Sequence, residues 1–426
     1  MSQADASPRG NCTSDAGCGV SRRLAARSFI RAVLGFVLPL ALFAASWPLA
    51  GCQPPPPPPK PAPVVGELDL GRAVGVVAAD LAAQLGPGAA QPRTLSIDPL
   101  LDGRTGQQTH ATEQLQQSLS AALAGTMKNA HVVAFDGAGA AQAQFLITGT
   151  LNAQPEPDHF RMSIALSDRK TGLVVGQSAA LFRQAGMDPA PTRFYTDSPS
   201  LVRDRSIEGY LKTAETPKGM AADALYIEQV PTAALLADAL AAYNAERWED
   251  ALARYNAAVQ RPDGQQLRTF NGIYLCQVQL GRADAAEEAF GKIAALGLAT
   301  NNLAVKLLFR PGGTDFWPDP KVTSLYPMWL RQIARAAQSA GSCLNVVGHT
   351  SHSGSEAVND KLSLARATVV RESLHREAAK LYGKVKVSGV GFRANLVGTG
   401  KDDETDALDR RVEFKVIPCA GPAGAP

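Results

Sequence analysis

The sequence has few features that point to catalysis or to a bound metal. Its 426 residues contain no glycine-rich phosphate loop, no nucleophile elbow and no Cys-x-x-Cys pair. His349 and His352 form an H-x-x-H pair, but no third ligand or helical setting accompanies them in the sequence. We therefore expect neither an enzyme nor a metal or organic cofactor.

The sequence also lacks an excess of charge of either sign. Its 42 Lys and Arg residues face 39 Asp and Glu residues. Residues 1–51 hold five of the basic and two of the acidic side chains, so the remaining chain carries 37 of each. Proteins that bind nucleic acid usually present a basic stripe or face. We therefore exclude nucleic acid as a partner.

A long apolar run is missing as well. The run 32–45 is shorter than the roughly 20 residues that a membrane-spanning helix needs. Four arginines precede it, and small residues follow it up to Gly51. A basic region, a short apolar core and small residues are typical of a secretory signal. We predict a signal peptide over 1–51, with an uncleaved anchor helix as the alternative.

The tetrad Leu49-Ala50-Gly51-Cys52 resembles a bacterial lipobox. The resemblance implies that Cys52 is lipidated and begins the mature chain, and Gln53 beside it implies delivery to the outer membrane. The protein would then face the periplasm on its lipid anchor. Residues 52–63 include six consecutive prolines and predict a stiff tether of about 3.1 Å per residue. A ligand for a proline-recognition module is the alternative.

Residues 64–195 have the pattern of a small α/β periplasmic domain. Apolar residues at helical spacing predict two helices, and short apolar runs bounded by turn residues predict five strands. A turn between the last two strands indicates a hairpin. The predicted helices are 73–85 and 112–127, and the predicted strands are 94–97, 131–135, 144–151, 161–166 and 173–182.

Residues 229–300 contain an internal repeat, in which 245–255 and 280–290 match at an offset of 35 residues. The pattern resembles tetratricopeptide repeats, whose period is about 34 residues. Two repeats are fewer than the three or so that stand alone, so we expect them to pack on a neighbouring domain. Protein binding and a structural spacer both remain open as roles. Each repeat has a small residue followed one helical turn later by a large aromatic residue. The pairs are Ala251 with Tyr255 and Ala286 with Phe290.

The segment 348–374, GHTSHSGSEAVNDKLSLARATVVRESL, carries the most specific pattern. A short apolar strand ends in Gly-His-Thr, a polar loop follows, and a helix comes next. On that helix Asn359, Ser363 and Arg366 form one polar stripe. A helix N-terminus favours an anion, and an arginine holds a carboxylate through two parallel hydrogen bonds. In the alternative reading, Arg366 pairs with a local acid and only supports the fold.

The same helix has an apolar stripe that we expect to pack on a sheet. It consists of Leu362, Ala365 and Val369.

This segment resembles the OmpA-like C-terminal domain, a family that binds the diaminopimelate of peptidoglycan. The family pattern GHTD..G....N..LS..RA..V is met at nearly every position, but Ser351 stands where the family has its ligand-binding Asp. The resemblance extends over 303–420 and implies an α/β sandwich with the order β-α-β-α-β-β. Within it we predict a first strand at 305–309, a third at 385–387 and a last at 411–416, where residues alternate with period two.

The resemblance also implies the residues that contact the diaminopimelate stem peptide. A serine hydroxyl offers no charge to the ligand's ammonium group, so we expect binding that is weaker by roughly ten- to a hundredfold. The implied binding residues are Thr350, Ser351, Ser353, Asn359, Arg366 and Arg410.

Three cysteines remain once Cys12, Cys18 and the lipidated Cys52 are set aside. One pair would be oxidised in a periplasm. Spacing alone does not establish the pairing. We expect a disulfide between Cys343, which opens the second OmpA-like strand, and Cys419, which follows the last, with Cys276 left reduced.

Two hypotheses about function follow. In the first, the chain is an outer-membrane lipoprotein whose OmpA-like domain docks on peptidoglycan while the repeats or the N-terminal domain recruit an unknown envelope protein. In the alternative, the OmpA-like domain has lost the wall ligand, and the whole chain is a periplasmic protein-interaction scaffold or assembly factor. Ser351 is the position that separates the two hypotheses.

Overall fold

The computed structural model describes residues 65–86, 92–400 and 404–419, all within one compact unit. The predicted signal peptide, Cys52 and the proline-rich tether lie outside the described residues. Among the described helices, none combines the length and the apolar character needed to cross a membrane.

The N-terminal part is a mixed sheet with helices on both faces. Its strands run in the order β1-β7-β6-β5-β2-β4, and β3 pairs with β5. The pairs β5–β6 and β6–β7 are antiparallel, whereas β1–β7, β2–β5 and β2–β4 are parallel. The elements are β1 Val65–Leu68, α1 Leu70–Leu85, β2 Arg93–Ile97, β3 Leu101–Asp102, α2 His110–Thr126, β4 Ala130–Val133, α3 Gly137–Gln142, β5 Phe145–Ala153, β6 His159–Asp168 and β7 Val174–Arg183.

Local sequence explains where the two long helices of this part begin. Asp69 accepts a hydrogen bond from the Arg72 N–H, and Thr109 forms a reciprocal capping box with Thr112, so donors at both N-termini are satisfied. Helices α1 and α2 share one apolar core with the sheet. The opposite face is covered by α3 together with helices that lie beyond residue 195.

Six helices follow the N-terminal sheet. They are α4 Arg193–Asp197, α5 Arg205–Ala214, α6 Ala224–Asn244, α7 Trp248–Val259, α8 Leu267–Gln279 and α9 Ala283–Ala299. The four repeat positions singled out in the sequence, on α7 and α9, are all buried. A Cβ atom at Gly272 would overlap the Tyr255 ring, so this glycine is what allows α8 to lie against α7.

The C-terminal part has the predicted order β-α-β-α-β-β around a four-stranded sheet. The strands run in the order β10-β9-β11-β8, with β9 and β10 parallel and the other pairs antiparallel. A one-turn helix, α10, precedes the first long helix. The elements are β8 Leu303–Lys306, α10 Pro320–Thr323, α11 Tyr326–Ser339, β9 Cys343–Gly348, α12 Glu356–Glu377, β10 Val385–Gly389 and β11 Arg411–Ile417, with short 3-10 turns at Ala379–Leu381 and Glu404–Leu408.

The predicted first strand, 305–309, was placed too late in the chain. Strand β8 ends at Lys306, and Phe309 makes only an isolated bridge to Phe316. The reason is that Pro311 and Gly312 turn the chain back on itself, so residues 309–316 form a small hairpin loop instead of extending the sheet.

The helical part and the C-terminal sheet share one hydrophobic core. The Trp329 indole N–H donates to the Tyr274 hydroxyl at 2.8 Å, and the Trp329 ring stacks on Phe290 with centroids 5.5 Å apart. At the edge of the sheet, Ser200 bridges to Val305. The short segment that contains Ser200 therefore covers the outer edge of β8, which would otherwise expose unpaired backbone groups.

Candidate functional site at the start of helix α12

A cavity of about 420 Å³ lies where α12, the end of β9 and the 309–316 hairpin loop meet. All six residues that the family resemblance implied as ligand contacts line this cavity, although they come from positions up to 60 residues apart in the sequence. The lining residues are Thr350, Ser351, Ser353, Asn359, Leu362, Arg366 and Arg410, opposite Leu308, Phe309, Pro311, Gly312 and Trp317.

Two glycines determine how closely α12 approaches the sheet. A Cβ atom at Gly348 would overlap the Ser363 carbonyl oxygen, and one at Gly389 would collide with the α12 backbone near Leu364. The first turns of α12 therefore rest directly on the ends of β9 and β10. Ser363 fits in the narrow space, where its hydroxyl donates to the Asp360 carbonyl and accepts from the Gly391 N–H.

The predicted packing face of α12 is wrong. Leu362, Ala365 and Val369 are only half-buried. The face that packs into the core carries Ala367, Val370 and Leu374, and it continues toward the helix start through the buried stripe of Asn359, Ser363 and Arg366. Because the glycines bring the backbones together, small and hydrogen-bonded residues occupy the buried face at this end of the helix, where larger apolar residues would not fit.

Asn359 shapes the loop that enters the helix. Its side-chain amide donates to the Ser353 and Ser355 carbonyl oxygens, at 2.6 and 3.1 Å. Gly354 between them has a φ of 80°, a conformation that glycine adopts without strain. The Ser353 N–H donates to the Ser351 carbonyl oxygen at 2.9 Å. Asn359 therefore holds Ser351 and Ser353 in position along the cavity wall.

Arg366 joins the two walls of the cavity. The side chain is 5% exposed, and its Nε and Nη2 atoms donate to the Gly313 and Arg310 carbonyl oxygens at 3.0 and 3.1 Å. Its guanidinium also lies over the Phe309 ring, 4.9 Å from the centroid. Arg366 therefore fixes the hairpin loop to α12. The alternative reading expected a fold-supporting role of this kind, although it did not name the backbone carbonyl oxygens of the loop as acceptors.

Thr350 brings a buried hydroxyl to the cavity wall. The residue is 2% exposed, and its hydroxyl has no hydrogen-bond partner among the described residues. Its backbone N–H is satisfied by the Gly391 carbonyl oxygen at 3.0 Å. A buried hydroxyl without a partner is destabilising by about 1–3 kcal/mol unless a ligand or water completes it.

Arg410 lies on the cavity wall next to a buried aspartate that the sequence analysis did not count as a site residue. The Asp409 carboxylate accepts three backbone N–H groups, from Leu396, Val397 and Gly398, at 2.6–3.1 Å. These bonds tie the 396–398 loop to the start of β11 and so position Arg410. With Arg366 and Arg410, the cavity has two cationic side chains and no acidic one among its described lining residues.

The two histidines of the H-x-x-H pair do not form a metal site. His349 is buried with its Nε2 atom 3.3 Å from Glu413 Oε1, whereas the exposed His352 packs edge-on against Phe392. Burial and the charge of Arg411 lower the pKa of His349 to about 4, although the charge of Glu413 acts in the opposite direction. The His349 ring is therefore neutral at physiological pH. The described residues contain no group of three metal-ligating side chains.

The cysteines are arranged as follows. Cys343 and Cys419 are joined in a disulfide that links the start of β9 to the second residue beyond β11. Cys276 is a free, buried thiol in α8. Burial and the nearby charge of Glu249 raise the pKa of Cys276 to about 12, so it is a poor nucleophile.

The sequence analysis missed the second wall of the cavity. The predicted ligand contacts include no residue before α11, yet Phe309, Pro311 and Trp317 line the cavity opposite α12. The signal was a cluster of three aromatic residues and a proline within the nine positions 309–317. Contacts with Arg366, more than 50 residues later in the chain, bring this cluster to the site.

Comparisons with known proteins find similarity over only part of the chain. No protein-family model matches the chain, and no curated protein is similar to it. Among solved structures, the cell wall anchor of the type VI secretion system of Pseudomonas aeruginosa is 24% identical over 27% of this chain and 78% of its own, with a TM-score of 0.22.

Two further solved structures are similar over the same share of the chain. The peptidoglycan-associated lipoprotein of Burkholderia pseudomallei is 21% identical over 26% of this chain and 88% of its own, with a TM-score of 0.21. The OmpA-like domain of FopA1 from Francisella tularensis is 16% identical over 27% of this chain and 74% of its own, with a TM-score of 0.21. At these scores the similarities support no conclusion about the ligand of this chain.

Proposed function

We propose that this protein is a non-catalytic outer-membrane lipoprotein that docks on peptidoglycan through the cavity at the start of α12. The ligand is the diaminopimelate-containing stem peptide, and Cys52 carries the lipid anchor. The observation that supports the proposal is the convergence on the wall of one cavity of the six residues that the family resemblance implies. A volume of about 420 Å³ is in the usual range for sites that enclose a small ligand.

The chemistry of the wall suits a ligand that carries carboxylates and amides. Arg366 and Arg410 supply positive charge at the cavity. The buried hydroxyl of Thr350 offers a hydrogen bond that no described protein group takes up. The Ser351 hydroxyl replaces the carboxylate that OmpA-like domains use for the ammonium group of diaminopimelate, so we expect weak, salt-sensitive binding.

The helices α6 to α9 are proposed to act as tetratricopeptide-like repeats that, with the N-terminal domain, recruit an envelope protein. This part of the proposal rests on the repeat pattern and on the buried packing of its small and aromatic residues. Because α9 shares its core with α11, a partner bound to the helices would be held rigidly relative to the cavity.

The binding test compares sedimentation of the full chain with purified peptidoglycan for four forms. Ser351→Asp should bind about ten- to a hundredfold more tightly than wild type, because a carboxylate gains a charged hydrogen bond to the ammonium group. Thr350→Val should bind about two- to tenfold less tightly without loss of fold stability, since its hydroxyl makes no internal bond. Ser355→Asp is the control, because it adds the same charge at an exposed position outside the cavity.

Equal sedimentation of all four forms, or no binding by any of them, would exclude the cavity as a wall site. The chain would then be the protein-interaction scaffold of the alternative hypothesis. The anchor is tested separately by metabolic labelling with a palmitate analogue: wild type should be labelled and Cys52→Ser should not. Equal labelling of the two would reject the lipoprotein assignment.

A further inference from the structure

A large aromatic side chain stands exposed at the rim of the cavity. Trp317 is 40% exposed, although burial of an indole is one of the larger apolar gains available to a protein. The nearby rings of Phe309 and Phe316 pack on each other, with centroids 4.9 Å apart. Both rings contact the hydrophobic core, whereas the Trp317 ring remains partly exposed. Trp317 is the aromatic residue of the described cavity lining whose ring remains substantially exposed to solvent.

The backbone at Trp317 is held in place. Its N–H donates to the Leu308 carbonyl oxygen at 3.0 Å, and the Arg310 N–H donates to the Asp315 carbonyl oxygen at 2.9 Å. These bonds close the hairpin loop on both sides, and Arg366 ties the loop to α12. An exposed aromatic residue on a fixed backbone loses little conformational entropy on binding, which is the usual character of a recognition anchor.

The two walls of the cavity differ in chemistry. The α12 side presents arginine and hydroxyl groups, whereas the hairpin side presents Phe309, Pro311 and Trp317. If a stem peptide lies with its carboxylates against the α12 wall, the exposed Trp317 ring on the opposite wall of the same cavity is accessible to the attached sugar. The C–H face of a pyranose ring is apolar and stacks on an indole ring, whereas its hydroxyl edge stays in water.

From this arrangement we infer that Trp317 is a second subsite, which binds an N-acetylated amino-sugar ring of the glycan strand while the α12 wall binds the stem peptide. The inference rests on the proposed function, because it requires peptidoglycan in the cavity. It adds a specificity: the protein prefers stem peptides that are still joined to their sugars over free peptides.

The test measures the affinity of the full chain for two defined probes, a stem peptide ending in diaminopimelate and the same peptide attached to its disaccharide. Wild type should bind the disaccharide-peptide more tightly. Trp317→Ala should lose about three- to tenfold in affinity for the disaccharide-peptide and nothing for the free peptide. Trp317→Phe should keep part of the preference. Tyr382→Ala, which removes another exposed aromatic ring outside the cavity, should change neither affinity.

Two outcomes would overturn the sugar subsite while leaving wall binding intact. In one, wild type binds both probes equally. In the other, Trp317→Ala weakens both probes by the same factor, which would place the indole against the peptide. If wild type binds neither probe, the proposed function fails and the subsite fails with it.

Discussion

Asp98 is predicted to make the protein less stable as the pH rises toward neutrality. The residue follows β2 at the boundary between the N-terminal sheet and the helices, and it is 7% exposed. The Tyr226 hydroxyl donates to its Oδ2 atom at 2.8 Å. Burial raises the pKa of the Asp98 carboxyl to about 7, against the opposing effects of the Tyr226 hydrogen bond and the charge of Arg268.

The sign and size of the effect follow from proton linkage. The unfolded chain releases the Asp98 proton near the ordinary carboxyl pKa of 3.8, whereas the folded chain keeps it until about pH 7. The folded state therefore binds more protons in this window, and stability falls as the pH rises from about 4 to 7. A difference of about three pKa units at about 1.36 kcal/mol each sets an upper bound of about 4 kcal/mol.

Asp98→Asn removes this ionisation and keeps an oxygen that accepts from Tyr226. At pH 7.5 the variant should be more stable than wild type by up to about 4 kcal/mol, and at pH 4 the two should nearly coincide. Guanidinium unfolding of the full chain across this range gives the comparison. Asp315→Asn, at an exposed position, serves as the control. A variant that is less stable at every pH, or a difference that does not change with pH, would refute the reasoning.

Two further predictions concern the C-terminal part. Gly348→Ala should destabilise the fold by about 1–3 kcal/mol in thermal unfolding, because the new Cβ atom would overlap the Ser363 carbonyl oxygen; an unchanged midpoint would show that α12 is not held against β9. The double variant Cys343→Ser with Cys419→Ser should lose about 4–5 kcal/mol in the chain-entropy model for a separation of 76 residues. Mass spectrometry of a non-reducing digest should find these two cysteines linked in wild type, and finding both thiols free would contradict the pairing.

The elements that sequence predicts best are those whose signal is local. Strand β11 was predicted at 411–416 from the alternation of its side chains, and the structure has Arg411–Ile417. The helix predicted at 112–127 is α2, His110–Thr126. In each case the pattern and its end signals lie within one segment, so no knowledge of distant contacts is needed.

The packing face of α12 could not be predicted because it depends on a distant contact. A helical wheel favours leucine, alanine and valine as the core face, which is the assignment that the sequence analysis made. The structure instead buries Ser363, because Gly348 and Gly389 on two separate strands bring their backbones against it. The small residues that allow this approach lie 15 and 26 positions away from Ser363.

The candidate site shows the same division between local and distant signals. Its α12 wall could be predicted because the motif places five of the six residues on one loop and one helix, and the family resemblance adds Arg410 just before β11. The hairpin wall could not, because Arg366 reaches it through two backbone carbonyl oxygens more than 50 residues earlier in the chain. The motif therefore identified the half of the cavity that the family pattern describes, and it left out Trp317.

The contact between α9 and α11 bears on how the site should be studied. The boundary that sequence placed near residue 303 separates segments whose side chains share one core. If the chain were cut there, Trp329 would lose both its stacking partner Phe290 and the acceptor for its indole N–H on Tyr274. The Trp329 ring would then be exposed to water, and the lost burial of its apolar surface would destabilise this part of the chain. The lost packing would destabilise α11, the helix that follows the hairpin wall of the cavity. A weak affinity measured on the isolated C-terminal part would therefore confuse an altered fold with an altered ligand site, and the full chain is the appropriate form for every binding measurement proposed above.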